Sequence, residues 1–328
     1  MYIRKGCGRG FTYKNLYGRT VNNETRTWIE SLIIPPAWKE VQISEDPEDK
    51  IFVTGRDEKN RKQYIYNPKF IEDQNVKKFD RIVNFAENLE HMRRVTGQHM
   101  RKRKPTREKV LATMVRLMDA AYFRPGSSRY TKDNKSYGLT TLRSKHLSIE
   151  NNELIFSYVG KSHKEQERHV IDAKIAKIVK ELDEMPGYEV FKYLDENENI
   201  IDVDSNDLNT YIHEVMGDDF SAKDFRTWGG TMVAAIALDE FGACEEQDQK
   251  ELDERIKNAI IKVSLKLGNT PAVAKSSYID PRVIEAYTHG KTMSYFKNEI
   301  DKMLKNTENI SGEELGVLCL LRAKLKKS

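Results

Sequence analysis

Short β-prone runs separated by turn residues characterise the first 76 residues. Such runs occupy 41–43, 51–54 and 63–67, and the Gly-Arg-Asp turn signal at 55–57 lies between two of them. This pattern predicts a small, mainly antiparallel β domain. One amphipathic stretch, at about 23–32, predicts a helix before these strands.

From residue 77 onward the apolar positions mostly recur at helical spacing. Thr106 is a suitable N-cap for the first clear helix, and Gly217 ends a later one. The apolar stripes of the predicted helices lie at about 110–122, 175–182, 208–215, 227–241 and 252–268. We therefore predict an α+β protein, with a β-rich domain at 1–76 and a mainly helical domain at 77–328. The segment after Lys297 predicts one or more additional helices.

One β hairpin interrupts the helical part. Residues 154–159 alternate, residues 169–171 are β-prone, and the polar segment 160–167 between them reads as the tip. Lys161 stands in this tip, where a flexible ammonium group can reach a ligand; the alternative is a solvated loop lysine. We expect His163 and His169 to face solvent or phosphate rather than a metal ion.

Composition excludes several classes of protein. The chain has 328 residues, 32% of them charged, and a mean hydropathy of −0.69. No run approaches the ~20 apolar residues of a membrane helix, and the N-terminal residues lack the apolar segment of a secretory signal. Cys7, Cys244 and Cys319 are far apart, which argues against a disulfide framework or a structural zinc site. We expect a cytoplasmic protein.

Charge is distributed unevenly along the chain. The formal net charge is only +4. Residues 77–109 nevertheless carry 11 Lys/Arg against 4 Asp/Glu, whereas residues 239–257 carry 3 against 8. A basic segment of this kind is typical of phosphate contact, although a solvated helical face would look the same.

Nucleotide and metal motifs are missing from the sequence. It contains no GxxxxGK[ST], no GxGxxG after a strand and no HExxH. We therefore expect no nucleotide cofactor and no metal.

Two arginines stand in unusual contexts. Arg124 precedes Pro125 and Gly126, so it lies on a constrained corner rather than in a helix. Arg226 lies near the predicted start of an apolar helix, where it and the helix end together would suit a phosphate. The alternatives are a surface arginine in an ordinary turn and an arginine paired with Asp224.

A tyrosine and an asparagine complete the candidate set. Asn269 lies in an Asn-Thr-Pro turn, and Tyr278 lies on the short helix that this turn predicts. A single tyrosine is normally a packing residue, so its position after the three basic residues is what singles it out.

The order Arg124, Lys161, Arg226, Asn269, Tyr278 resembles the active site of type IB DNA topoisomerases, of the compact poxvirus-like and bacterial branch. The motifs FRPGSSRY, YGLTTLRSKH, VGK and DFRTWG resemble, in this order, the first-arginine motif, the strand motif after it, the lysine hairpin and the second-arginine box. The segments IPPAW and GRD through RKQYIY resemble the DNA-clamping β domain of that branch. The resemblance reaches from the N-terminal part to about Phe296.

The resemblance implies a mechanism. Tyr278 attacks a DNA phosphodiester and forms a 3′-phosphotyrosyl bond, the nicked strand swivels, and religation follows without ATP or metal. Arg124 and Arg226 stabilise the transition state and Lys161 is the general acid. Relatives often have histidine where this chain has Asn269; asparagine can donate a hydrogen bond but cannot act as an acid, so only a stabilising role is implied.

The resemblance also implies DNA contacts and partners. The expected contacts are Lys223 beside the cleaved bond, Gln63, Tyr64 and Tyr66 in the β domain, and Tyr130 in the first-arginine motif; for the β-domain tyrosines, cross-strand packing is the alternative. The expected partner is double-stranded DNA, bound by a monomer. A tyrosine recombinase and a catalytically silent DNA-binding relative are the other candidates. Lys223-x-x-Arg226 and the β-rich first domain favour the topoisomerase, since recombinases usually have His-x-x-Arg and a helical first domain.

Overall fold

The chain divides into two structural units, Met1–Lys78 and Phe79–Ser328. The computed structural model describes residues 1–243 and 249–323. No helix within these ranges is long and apolar enough to cross a membrane. Cys244 and part of the acidic stretch 239–257 lie outside the described residues.

The first unit is built on a five-stranded antiparallel sheet in the order β2-β1-β3-β4-β5. The strands are β1 Tyr2–Cys7, β2 Gly10–Asn15, β3 Lys39–Ile43, β4 Ile51–Arg56 and β5 Lys62–Tyr66. Helix α1, Asn23–Ser31, stands between β2 and β3 and is capped by the side chain of Asn22. The predicted strands are β3 to β5. The hairpin of β1 and β2 was not predicted, because its polar residues hide the alternation.

Helix α1 covers one face of this sheet. Ile29 of the helix is fully buried in a core that also contains Val41 and Val53. Trp28 meets Phe52 edge to face, with ring centroids 5.6 Å apart. This apolar layer is the core of the first unit.

The second unit is largely helical. Its helices, the first of which contains the boundary between the units, are α2 Pro68–Glu87, α3 Leu89–His99, α4 Arg107–Ala121, α5 Ser128–Asn134, α6 Ala173–Asp183, α7 Ser205–Met216, α8 Ala222–Phe241, α9 Gln249–Leu267, α10 Pro271–Tyr278, α11 Pro281–Thr288, α12 Lys297–Leu304 and α13 Gly312–Arg322. Its strands are β6 Leu147–Glu150, β7 Glu153–Val159, β8 Glu165–Ile171, β9 Lys192–Leu194 and β10 Ile200–Asp202. They form an antiparallel sheet β6-β7-β8 and a β9-β10 pair. The predicted α+β class is confirmed, and the segment after Lys297 contains two helices.

Two helix ends lie where the sequence predicts them. The side chain of Thr106 accepts a hydrogen bond from the backbone of Lys109 and caps α4. Gly217, with φ 105°, ends α7. Both predictions are confirmed.

Two predicted features differ from the structure. Residues 137–146, compared above with a strand motif, form two short 3₁₀ turns instead. The reason is a close backbone contact: the Leu139 amide donates to the Arg124 carbonyl at 2.9 Å, and Gly138 packs against Gly126 too tightly for a Cβ. The hairpin tip is also shorter than predicted, because β8 already begins at Glu165.

Helix α8 lies at the centre of the second unit. Most of its residues are buried, including the glycine pair Gly229 and Gly230. A Cβ on Gly229 would come within 2.3 Å of the Tyr122 ring, and one on Gly230 within 2.5 Å of the Tyr278 carbonyl oxygen. The absence of two side chains thus lets two other segments approach the helix closely.

Candidate active site

Arg226 is held inside the protein by backbone carbonyls. It is the fifth residue of α8 and only 2% exposed. Its guanidinium donates to the Tyr122 carbonyl at 2.6 Å and to the Leu267 carbonyl at 2.9 Å, while its Nε has no partner among the described residues. The alternative of a pair with Asp224 is wrong, because Asp224 binds Arg81 at 2.9 Å.

Arg124 lies on the corner that follows α4. Tyr122 ends that helix in the left-handed conformation, with φ 56°, and Gly126 has φ 101°. The Arg124 guanidinium turns toward α10 and donates to the side-chain oxygen of Asn269. The constrained corner predicted from the sequence therefore aims this arginine at another candidate residue.

Asn269 occupies the turn between α9 and α10. The backbone N–H of Asn269 donates to the Ser264 carbonyl at 2.9 Å, and the next residue, Thr270, caps α10 with its side chain. The side-chain nitrogen Nδ2 is buried and has no hydrogen-bond partner among the described residues. A buried amide donor without a partner is costly, so it is available for an acceptor that this protein does not itself supply.

Tyr278 is the last residue of α10 and is half-buried. Its backbone lies against Gly230, and its carbonyl accepts a 3.3 Å hydrogen bond from the Thr231 hydroxyl. The ring lies under Arg226, with 5.0 Å between the guanidinium carbon and the ring centroid. Helix α8 thus positions both the Arg226 guanidinium, which it carries, and the Tyr278 backbone, which packs against it.

The electrostatic surroundings favour the phenolate form of Tyr278. Burial alone would raise its pKa, but the charges of Arg226, Arg124 and Lys223 outweigh burial and hold the pKa below its ordinary value. Burial and the neighbouring charge of Arg124 in turn lower the pKa of Arg226 to about 10. A tyrosine with a lowered pKa is a better nucleophile near neutral pH.

The two candidate lysines are exposed. Lys161 lies in the turn between β7 and β8, and its ammonium makes no hydrogen bond or ion pair within the described ranges. Lys164, three residues on, donates to the Asn269 carbonyl at 3.0 Å and ties this turn to α10. Lys223 is on the first turn of α8 and acts on Tyr278 through its charge.

Two residues of the site were not singled out in the sequence. Gln166 and Arg168 are both buried on the inward face of β8, whose burial alternates. Arg168 donates to the Gln166 side-chain oxygen at 2.7 Å. Burial lowers the pKa of Arg168, and Arg124 lowers it further. The signal that could have found them is the alternation of 166, 168 and 170, obscured because the inward residues are polar.

Arg124, Arg168 and Arg226 share one property. None of them forms an ion pair with a carboxylate in the part of the chain that the structure describes. All three also act on buried Tyr158: burial raises its pKa, and the three arginine charges oppose that rise without overcoming it. Arg168 and Arg226 are buried and Arg124 is half-buried, and such cations without a counter-ion are unfavourable unless an anion joins them. The arrangement is therefore suited to a phosphate group.

The remaining candidates lie on surfaces. In the first unit, Tyr64 and Tyr66 are each 40% exposed and stack at 5.9 Å, and Tyr66 stacks on Phe70 at 6.0 Å. Gln63 donates to Asp57 at 2.9 Å. In the second unit, Tyr130 is exposed on α5. The two tyrosines stack along one edge strand rather than across strands, since their cross-strand neighbours are Thr54 and Ile51.

The potential metal ligands of the described residues are dispersed. They contain no group of three or more His, Cys, Asp or Glu side chains placed to hold a metal ion. His169 instead pairs with Glu153 and Glu167, at 2.7 and 3.1 Å. This agrees with its expected solvent-facing position.

Comparison with protein families covers most of the chain. Residues 67–307 match the family described as eukaryotic DNA topoisomerase I, catalytic core. Residues 10–57 match the bacterial DNA topoisomerase IB N-terminal domain. The N-terminal-domain match covers most of the five-stranded sheet. The catalytic-core match covers every candidate catalytic residue.

Individual relatives agree with these matches. DNA topoisomerase 1B of Acanthamoeba polyphaga mimivirus is 31% identical over 316 residues, which cover 92% of this chain and 94% of the relative. DNA topoisomerase I of Monkeypox virus is 30% identical and DNA topoisomerase 1B of Vaccinia virus (strain Copenhagen) 29% identical, each over 123 residues that cover 37% of this chain and 38% of the relative. The chain therefore belongs to the type IB DNA topoisomerases, the family that its sequence motifs predicted.

Proposed function

We propose that this enzyme relaxes supercoiled duplex DNA by transient cleavage of one strand, with Tyr278 as the nucleophile. The observation that carries the proposal is the set of arginines without carboxylate partners around Tyr278. The phenol gives up its proton to water, and its oxygen forms a bond to phosphorus as the bond to the 5′-oxygen breaks, which leaves a 3′-phosphotyrosyl link. Because the reverse attack by the 5′-hydroxyl restores the strand, neither ATP nor a metal is required.

Arg124, Arg226 and Asn269 stabilise the transition state in this proposal. Negative charge gathers on the non-bridging oxygens, and fixed guanidinium donors suit it because they are charged at every working pH and already in place. The free Nδ2 of Asn269 and the free Nε of Arg226 support this role.

Lys161 is the proposed general acid. The leaving 5′-oxygen must take up a proton, and an amide such as Asn269 cannot supply one. The ammonium of Lys161 has no partner among the described residues and stands in a turn that is tied to Asn269 through Lys164. These features support its delivery of the proton; Lys223 adds positive charge beside the same phosphate.

DNA binding involves both units in this proposal. Residues 1–76 form a DNA-clamping domain that binds with Gln63, Tyr64 and Tyr66, and residues 77–328 form the catalytic domain, with Tyr130 as a further contact. Exposed aromatic side chains beside lysines support the clamp: Lys62 lies 5.5 Å from the Tyr64 ring centroid. We propose that the protein acts as a monomer on DNA in the cytoplasm, at the nucleoid if the host is bacterial.

Plasmid relaxation in EDTA without ATP tests the proposal. The wild type should relax both positive and negative supercoils. Tyr278→Phe should bind DNA with unchanged affinity but form no covalent adduct, because it lacks the attacking oxygen. Tyr295→Phe is the matched control, since Tyr295 is 64% exposed and its ring contacts Phe296 and Lys291 rather than a candidate residue. A covalent adduct in Tyr278→Phe, or a strict need for Mg²⁺ or ATP, would contradict the proposal.

A further inference from the structure

Gln166 lies between the two turns that carry Lys161 and Asn269. A Cβ added to Gly268 would be 2.2 Å from Gln166 Oε1, and one added to Gly160 would be 2.9 Å from Gln166 Cγ. The side chain therefore rests directly on both glycines. Each glycine immediately precedes one of the two candidate residues.

The glutamine amide has one orientation in this position. Its oxygen accepts from Arg168 Nη2 at 2.7 Å, and its nitrogen donates to the Glu165 carbonyl at 2.9 Å. Arg168 is only 8% exposed, and its Nη1 donates to the Glu167 carbonyl at 3.3 Å. Both partners are thus fixed by the backbone of their own strand.

Lys164 provides a second connection between the turn that carries Lys161 and the turn that carries Asn269. The Gly160 amide donates to the Lys164 carbonyl at 2.8 Å, and the Lys164 ammonium donates to the Asn269 carbonyl at 3.0 Å. Lys164 is near the surface, so this link alone would be weak. Gln166 supplies the buried contact between the same two turns.

We propose that Gln166, held in orientation by Arg168, is a positioning residue that sets the spacing between Lys161 and Asn269. The inference rests on the proposed function, in which these two side chains serve one phosphate. A displacement of about 1 Å at reacting groups can cost up to about 10²-fold in rate. Loss of the spacer should therefore slow cleavage while leaving DNA affinity nearly unchanged.

The test compares Gln166→Met, Arg168→Met and the double variant in single-turnover cleavage of a duplex oligonucleotide. Methionine matches the length of glutamine and replaces the aliphatic part of arginine, and in both cases it removes the hydrogen bonds. Gln166→Met should slow cleavage roughly 10-fold, and Arg168→Met at least as much, because it also removes a charge from the site. The double variant should be no slower than Arg168→Met, because both substitutions break one linkage. Arg168→Lys, which can still donate to Gln166, should stay within about threefold of the wild type.

The decisive measurement repeats the Gln166→Met substitution in a protein that already carries Asn269→Ala. If Gln166 acts through the spacing to Asn269, adding Gln166→Met to Asn269→Ala should cost less than about twofold. An equal loss in both backgrounds would overturn the inference, because a general loss of stability would act in both. Arg255→Met is the charge-matched control and should cleave like the wild type.

The outcomes separate this inference from the proposed function. A wild type that forms no Tyr278-dependent adduct refutes both. A wild type that forms the adduct, together with a Gln166→Met variant within twofold of it, refutes the spacer alone. If Arg168→Met has too low a melting temperature for assay, Gln166→Met carries the test, since it retains the arginine.

Discussion

Two buried arginine sites in the second unit have opposite electrostatic designs. Arg93, on α3, donates to Asp119 at 2.8 Å and to Glu314 at 2.6 Å. Arg226 donates to backbone carbonyls, and no carboxylate of the described residues neutralises it. The same side chain thus joins a complete ion network in one place and an open cationic site in the other.

The positive charge of Arg93 is compensated by carboxylates of the same protein. Burial would lower the pKa of Arg93, but hydrogen bonds to Glu314 and Asp119 raise it, and Arg93 lowers the pKa of Glu314 against the effect of burial. The network joins α3, α4 and α13, so it holds the C-terminal helix in place. Arg124, Arg168 and Arg226 have no such balance among the described residues, as expected of a site that binds an anion from outside the protein.

The largest expected effect is the loss of stability in Arg93→Met. Two buried carboxylates would lose their shared cation, and breaking such a pair typically costs about 3–5 kcal/mol. Urea unfolding should show this decrease in the free energy of unfolding. Lys262→Met, which breaks an exposed pair with Glu240, is the control and should change stability by about 0–1 kcal/mol. Equal values for the two variants would remove the distinction between the sites.

The second effect concerns Arg226→Met. Its cleavage rate should fall about 10²–10³-fold, on the scale of one lost transition-state donor, while two carbonyls left without a donor cost about 1–3 kcal/mol of stability. The ratio of the two losses sharpens the comparison, because Arg93→Met should lose mainly stability. Single-turnover cleavage and urea unfolding of both variants give the ratio; equal rate losses for both would contradict it.

The smallest effect is stabilisation by an anion. Inorganic phosphate that binds the open site should raise the free energy of unfolding by about 1.4 kcal/mol at ten times its dissociation constant. The gain should disappear in Arg226→Met and persist in Arg93→Met. Sodium chloride at matched ionic strength is the control for screening. A phosphate effect that survives in Arg226→Met would place the anion elsewhere.

Motif order made most of the candidate site predictable. Arg124, Arg226, Asn269 and Tyr278 were named from their contexts, and the structure brings these four together. Their roles in catalysis stay predictions. Lys161 has the same basis in the sequence, but its exposed side chain makes no hydrogen bond or ion pair with them in the described ranges.

Other parts were hidden for physical reasons. Gln166 fell within the predicted polar tip and Arg168 lay just beyond it, and neither was expected to be buried, because that burial depends on segments more than 30 residues away in sequence. The hairpin of β1 and β2 is equally polar. Residues 137–146 follow contacts with the Arg124 corner rather than their own β propensity. Tertiary contacts decided these cases, and a single sequence does not contain them.

The glycine pair of α8 has a consequence for how this protein can vary. Gly229 and Gly230 set the separation of the Tyr122 ring and the Tyr278 backbone from one helix by direct atomic contact. The separation between Gly230 and the Tyr278 backbone does not depend on rotamers, so it should be insensitive to substitutions on the outer face of α10. Even the smallest enlargement at 230 would push the phenol away from its arginines. We expect evolution to tolerate no side chain larger than hydrogen at positions 229 and 230.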